Sequence, residues 1–135
     1  YADWDEFVER NLLADTDARL HLLTKKARRS YVKAAYRDGD FLVFGCESVG
    51  LPEALLAAHA DRCERIPMLP DAASLKNAQS WGEPGEKDSH AALLAQDVCG
   101  NFVDPENYRI SALNLSNAAA VVLYEALRQI GFPGM

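Results

Sequence analysis

Phe41-Leu42-Val43-Phe44-Gly45-Cys46-Glu47-Ser48-Val49-Gly50-Leu51-Pro52 is the stretch that decides the fold class. Its first four residues are apolar without alternation, which reads as a strand buried on both faces. Gly45 stops that strand. Gly50 and Pro52 then open a helix over Glu53 to His59, with Pro52 where a first helical turn begins and a missing N–H does no harm. Upstream, Asp38-Gly39-Asp40 is a turn signal. A buried strand that ends on glycine and enters a helix is the unit from which parallel α/β sheets are built.

The flanking sequence repeats that unit. Arg19 to Thr24 is a second short apolar run, and Arg62 to Met68 reads as a third strand closed by Pro67 and Pro70. Trp4 to Leu13 carries Trp4, Phe7, Val8 and Leu12 at helical spacing, with Asp3 as its cap and Glu6 three residues on. Ser116 to Ile130 is a long helix whose face is Ala119, Val122, Leu123, Ala126, Leu127 and Ile130, ended by Gly131 and Pro133. The expected class is α/β, a mainly parallel sheet with flanking helices. Ligands of such sheets bind at the carboxyl ends of strands, here Leu23-Thr24, Gly45 and Ile66 to Met68.

Residues 71–110 break the pattern. Trp81-Gly82-Glu83-Pro84-Gly85 and Asp104-Pro105 punctuate a polar stretch with one short helix near Ser89 to Val98. The expected organisation is a single domain over residues 1–135 with an insertion there, a flap beside the ligand. Tyr1 rather than Met opens the chain, as expected of a processed or partial product.

The chain's 135 residues carry a net charge of −6, which argues against coating nucleic acid by bulk charge and leaves room for a local basic patch. The longest apolar run, Ala118 to Tyr124, is too short to span a membrane. Cys46, Cys63 and Cys99 form no CxxC and point to a reducing cytosol, and His21, His59 and His90 have no metal-ligand spacing. No metal site is expected, and the histidines read as ordinary surface and core residues.

Three segments carry chemistry. Gly45 to Gly50 could let a ligand approach the backbone, though a plain strand-to-helix turn would use the same residues. Ser111-Ala112-Leu113-Asn114-Leu115-Ser116-Asn117 sets more polar residues before an apolar helix than one cap needs, although Asn114 or Ser116 would serve as that cap. Lys25 to Arg37 contains Lys25, Lys26, Arg28, Arg29, Lys33 and Arg37 with no acid among them, immediately after a predicted strand end. A solvated run is usually inert, yet beside a ligand edge it fits RNA phosphates.

Taken together, Gly-x-Glu-x-x-Gly-Leu-Pro at Gly45 to Pro52, Ile66-Pro67-Met68, Leu113 to Asn117 and Val121 to Gln129 resemble the SpoU class of SPOUT RNA 2′-O-methyltransferases. The subgroup is the small tRNA (cytidine/uridine-34) enzymes of the TrmL/YibK type. The resemblance implies a C-terminal trefoil knot, S-adenosyl-L-methionine as cofactor, a tRNA substrate methylated at the wobble position, a homodimer and a cytoplasmic location. By matching positions it implies cofactor contacts at Leu23, Thr24, Gly45, Gly50, Ile66, Met68, Leu113, Leu115 and Ser116. Asn114, Glu47 and Tyr124 are the catalytic candidates, with Tyr124 equally readable as a core aromatic. Lys25, Lys26, Arg28, Arg29 and Lys33 are the RNA-binding candidates.

The chain departs from the family pattern in four places. Val49 stands where a cation is usual, Ala112 where a serine is usual, an insertion separates Ile66-Pro67-Met68 from Leu113 to Asn117, and the family's first strand and helix with their arginine have no counterpart. These departures predict a chain that binds cofactor but transfers little methyl by itself. They also sustain a rival reading, a knotted dimeric module that binds RNA or cofactor without catalysis. A nucleotide enzyme of another class lacks support, since GxGxxG and GxxxxGK[ST] are both absent.

Overall fold

A computed structural model describes residues 3–12, 18–46, 49–68, 100–102 and 113–135. Helix α1 (Trp4–Asn11) starts at Asp3, whose carboxylate accepts from the Glu6 amide at 2.9 Å. That satisfies an N–H without a helical partner and places negative charge at the positive end of the helix dipole. Strands β1 (Leu20–Leu23) and β2 (Phe41–Phe44) lie within the apolar runs that predict them. Helix α2 (Glu53–Ala58) follows, with Pro52 as its N-cap rather than inside its first turn.

Strand β3 is only Cys63–Glu64, much shorter than the expected Arg62 to Met68. The reason is a change of partner. β1 ends at Leu23, and Arg65 instead bridges Ser30: the Arg65 amide donates to the Arg29 carbonyl at 2.8 Å and the Tyr31 amide to the Arg65 carbonyl at 2.9 Å. The sheet itself is parallel, in the order β2-β1-β3. Leu23 is the register partner of both Phe44 and Glu64.

Alternation along β1 splits the core between two faces. On one, Leu22 and Cys63 pack with Leu51, Leu56, Ala60 and Phe102, next to α2. On the other, Leu23, Leu42, Phe44 and Ile66 pack with Ala34, Tyr36 and Val122. Val122 and Ala126 belong to helix α3 (Leu115–Gln129), which covers this second face. Its buried stripe is narrower than the periodicity predicts, since Leu123 is 51% exposed. At its end, Gly131 (φ +81°) closes the helix: the Gly131 amide donates to Arg128 and the Phe132 amide to Leu127. This is the paired capping pattern for which a left-handed glycine is suited.

Phe102 lies within the stretch read as an insertion and packs in the core. It is among the most deeply buried side chains, and it bridges Ala27 antiparallel. Burying a Phe contributes about 2–3 kcal/mol, so Phe102 belongs to the core. The short helix expected near Ser89 to Val98 lies outside the described residues. Among the described residues, no helix is long and apolar enough to cross a membrane.

Candidate functional site

The sheet order brings three of the predicted loops to one edge. β1 is central, so Leu23-Thr24 leaves the sheet between the end of β2 at Gly45 and the end of β3 leading to Ile66 and Met68. The Thr24 amide donates to the Glu64 carbonyl at 2.8 Å, and the Thr24 hydroxyl accepts from the Lys26 amide at 3.2 Å. Thr24 thus pins the turn that begins the basic run.

Gly45 is required for a reason other than ligand approach. A Cβ there would collide with the backbone of Gly50 and Leu51. Gly50 folds back as the antiparallel bridge partner of Cys46, with its amide on the Cys46 carbonyl at 2.9 Å, and its φ of +72° suits glycine. The loop is therefore closed on itself by its two glycines. Glu47 lies outside the described residues, and Val49 is 78% exposed.

Leu113, Leu115 and Ser116 stand at the start of α3. Asn114 is its N-cap, its side-chain oxygen accepting from the Ser116 and Asn117 amides at 3.0 and 3.4 Å. Of the two capping candidates it is Asn114, not Ser116, that caps. Tyr124 is exposed and stacks edge-on with Phe132, so it is not a core aromatic.

Most of the basic run is tied to the protein. Lys26 pairs with Glu53 at 2.8 Å with both side chains largely covered, and Arg28 Nε donates to the Phe102 carbonyl at 2.7 Å. Arg29 Nη2 donates to Glu64 Oε1 at 3.0 Å. Burial, with the adjacent Lys26 charge, lowers the Lys25 pKa below the ordinary lysine value. Lys33 is exposed. Asn101 holds the run in place: its carbonyl and its side-chain oxygen accept from the Arg28 and Arg29 amides, and its side-chain nitrogen donates to Ala60 and Cys63 carbonyls.

Sequence reasoning missed the hub beneath this edge. Glu64 is fully buried and accepts three bonds: from His21 Nδ1 at 2.9 Å, from Arg29 Nη2 at 3.0 Å and from the Tyr36 hydroxyl at 2.9 Å. The other nitrogen of His21 lies 3.0 Å from Asp40 Oδ2. A ring with a carboxylate at each nitrogen is matched by the doubly protonated, cationic form. Burial by itself would lower the His21 pKa, but the hydrogen bonds and charges of Glu64 and Asp40 outweigh it and the net shift is upward. Burial raises Asp40, but the His21 bond and the Arg37 and Arg19 amides hold it below the ordinary carboxylate value. Burial and then the Glu64 charge push the Tyr36 phenol up. The available signal was a titratable residue inside predicted buried strands, His21 in the first and Glu64 in the third.

The hub reaches α3. The Tyr36 amide donates to Gln129 Oε1 at 3.1 Å, and Gln129 in turn donates to Glu125, which also pairs with Arg128. Those bonds hold the Glu125 pKa down at about 2, with Arg128 the larger cause. Among the described residues, no group of three or more His, Cys, Asp or Glu side chains is disposed to hold a metal ion.

The sequence profile of the SpoU rRNA Methylase family matches residues 1–82. A tRNA (cytidine(34)-2'-O)-methyltransferase of Escherichia coli (strain K12) is 34% identical over 133 residues, covering 98% of this chain and 58% of that protein. The protein of the same name from Saccharophagus degradans is 32% identical over 135 residues, covering 99% and 60%. A Bacillus anthracis crystal structure assigned as an RNA methyltransferase matches with TM-score 0.62 and 28% identity, covering 100% of this chain and 60% of that one. A structure described as concerning 2-OH methylation of C/U34 on tRNA matches with TM-score 0.59 and 27% identity, covering 96% and 57%. This chain thus spans less than two thirds of the length of these relatives. The profile match covers more than half of the chain and the likeness extends to the parallel sheet: the chain belongs to the SpoU rRNA Methylase family.

Proposed function

We propose that the protein transfers a methyl group from S-adenosyl-L-methionine to a ribose 2′-hydroxyl of RNA, in tRNA at wobble position 34. The observation that carries this reading is the gathering of Leu23-Thr24, Gly45 and Ile66–Met68 along one carboxyl edge in a chain of this family. The printed names of the relatives, tRNA (cytidine(34)-2'-O)-methyltransferase, support the substrate.

The residues at that edge fit the cofactor. Leu23, Thr24, Gly45, Gly50, Ile66 and Met68 would hold it largely through backbone, joined by Leu113, Leu115 and Ser116 from the start of α3. When bound, S-adenosylmethionine supplies an electrophilic methyl group. A ribose hydroxyl is a poor nucleophile near neutral pH, so the chain's task is to orient it in line and to handle its proton. Asn114 orders the entry to α3 beside the substrate, Glu47 orders the Gly45–Gly50 loop, and Tyr124 contacts substrate from the exposed side of α3. Lys33, with the outward parts of Lys25, Lys26, Arg28 and Arg29, contacts RNA phosphates.

The whole protein works as a cytoplasmic homodimer with a C-terminal trefoil knot, as one domain with an insertion at residues 71–110. The exposed Val121, Leu123 and Tyr124 on α3 support a partner subunit there. The test is transfer of tritiated methyl to bulk tRNA followed by alkaline hydrolysis. Label in alkali-resistant dinucleotides is expected, because a 2′-O-methyl group blocks backbone cleavage. Label in mononucleotides, or none in tRNA, overturns the reading.

A further inference from the structure

The amino edge of the sheet carries an open cavity that the proposed reaction does not use. It measures about 350 Å³ and is lined by Arg19, Arg37, His59 and Arg62 together with Leu12 and Leu20. Arg19 stands immediately before β1, so the cavity lies at the opposite end of that strand from Leu23-Thr24. Two backbone closures gather the polar side chains. The Asp40 carboxylate accepts from the Arg19 amide at 3.0 Å and from the Arg37 amide at 2.8 Å, which holds those two residues side by side. The Arg62 amide donates to the His59 carbonyl at 2.8 Å, which does the same where α2 leads into β3. Arg19 is fixed further through Nη2, which donates to the Ala35 carbonyl at 3.1 Å. The guanidiniums remain within reach of solvent: Arg37 is exposed, and the side chains of Arg62 and Arg19 are 40% and 25% exposed.

Among the described residues, no acid lines the cavity. Two carboxylates come within ion-pair reach of its guanidiniums. Asp40 Oδ1 lies 4.0 Å from Arg19 Nε, but the other oxygen of Asp40 is engaged by His21. Asp61 lies 3.6 Å from Arg62 Nε and is exposed, and an exposed pair contributes little. Arg37 makes no ion pair among the described residues. Positive charge is therefore in excess at the rim, in a chain whose overall charge is −6. Planar guanidiniums match phosphate oxygens, which they hold through paired N–H groups. We propose that this cavity binds backbone phosphates of the RNA stem whose loop enters the carboxyl edge. The four residues of β1 span about 13 Å at about 3.3 Å each. Successive phosphates of a duplex strand advance about 3.4 Å along the axis, so about four nucleotides of stem cover that distance. The site deepens the reading of the protein as an RNA methyltransferase and rests on it: it grips the stem while the loop is methylated at the other end of β1.

The test measures binding of two labelled RNAs by fluorescence anisotropy over a salt series: a tRNA anticodon stem-loop, and its loop sequence alone as a short single strand. The proteins are the parent, Arg37→Gln combined with Arg62→Gln, and the same pair changed to Lys. The Gln pair is expected to weaken stem-loop binding about tenfold or more and to reduce the salt slope by about one per cation removed. The loop strand, which ends short of the cavity, should bind the parent and the Gln pair alike. The Lys pair keeps the slope but not the affinity, because an ammonium lacks the guanidinium fork. S-adenosylhomocysteine affinity and melting temperature should stay at parental values in the Gln pair. Parental stem-loop affinity and slope in the Gln pair overturn the site. Equal losses on both RNAs also overturn it, since they report general electrostatics. Calorimetry with pyrophosphate separates a soluble anion from RNA: pyrophosphate binding that the Gln pair abolishes, with stem-loop binding unchanged, overturns the RNA contact. A response seen only after Asp15→Asn with Asp17→Asn, the acids just before Ala18 in the sequence, assigns the cavity to the chain's own carboxylates and overturns the site. Failure of the parent to bind either RNA overturns the proposed function, and this site with it.

Discussion

Replacing Glu64 by Gln keeps the side chain's shape and removes its charge. The parent carboxylate is fully buried and holds two cationic donors at 2.9 and 3.0 Å and a phenol at 2.9 Å. In the variant, His21 keeps only Asp40 as a carboxylate partner, Arg29 loses its ion pair, and one amide oxygen must serve donors that two carboxylate oxygens served before. Breaking a buried ion pair from one side costs about 3–5 kcal/mol. At roughly 3 °C per kcal/mol for a chain of this size, the melting temperature should fall by about 10 °C or more. The loss should depend on pH with a definite sign. His21 has a raised folded pKa, so its share of stability is fully present below its ordinary value of 6.5 and is lost as pH climbs through the raised value. Asp40 has a lowered pKa, so its share is present above the ordinary 3.8 and is lost as pH falls through the lowered value. The gap between parent and variant in urea denaturation should therefore be widest between those limits and narrow toward pH 9. Because apolar replacement of a whole buried pair is often tolerated, His21→Phe combined with Glu64→Leu should lose less than the two single changes summed. A gap under about 1 kcal/mol near pH 6, or one that does not narrow at alkaline pH, would refute the assignment of a buried imidazolium between two carboxylates.

Gly45→Ala drives a Cβ into the Gly50–Leu51 backbone and should destabilise by about 1–3 kcal/mol in urea denaturation, with S-adenosylhomocysteine binding lost in calorimetry. Unchanged stability would mean that the loop closure is wrong. Asn114→Ala removes the α3 cap and should lower stability by about 1 kcal/mol, while Asn114→Asp retains most of it. Lys33→Glu should weaken RNA binding without altering the melting temperature, whereas Lys26→Glu should lower the melting temperature because it faces Glu53 at 2.8 Å. Equal melting temperatures for the two would sink the distinction between tied and outward cations.

Local signals were enough for most of the elements. The short, largely apolar runs of β1 and β2, the Asp3 and Asn114 caps and the Gly131 stop depend on neighbours within a few residues, so the sequence by itself determined them. The family motifs at Gly45–Pro52, Ile66–Met68 and Leu113–Asn117 were legible for the same reason. What tertiary structure alone decided is who meets whom. β3 is cut to Cys63–Glu64 because Arg65 finds Ser30 after β1 has ended, and Phe102 returns from a polar stretch to the core beside Ala27. His21 and Glu64 are 43 positions apart, as far from one another as any spacing rule is blind to. A buried charge is tolerated only where an opposite charge and hydrogen bonds converge on it. That convergence is set by the register of β1 against β3 and by the turn that carries Arg29 and Tyr36 back over the sheet, which no local pattern encodes.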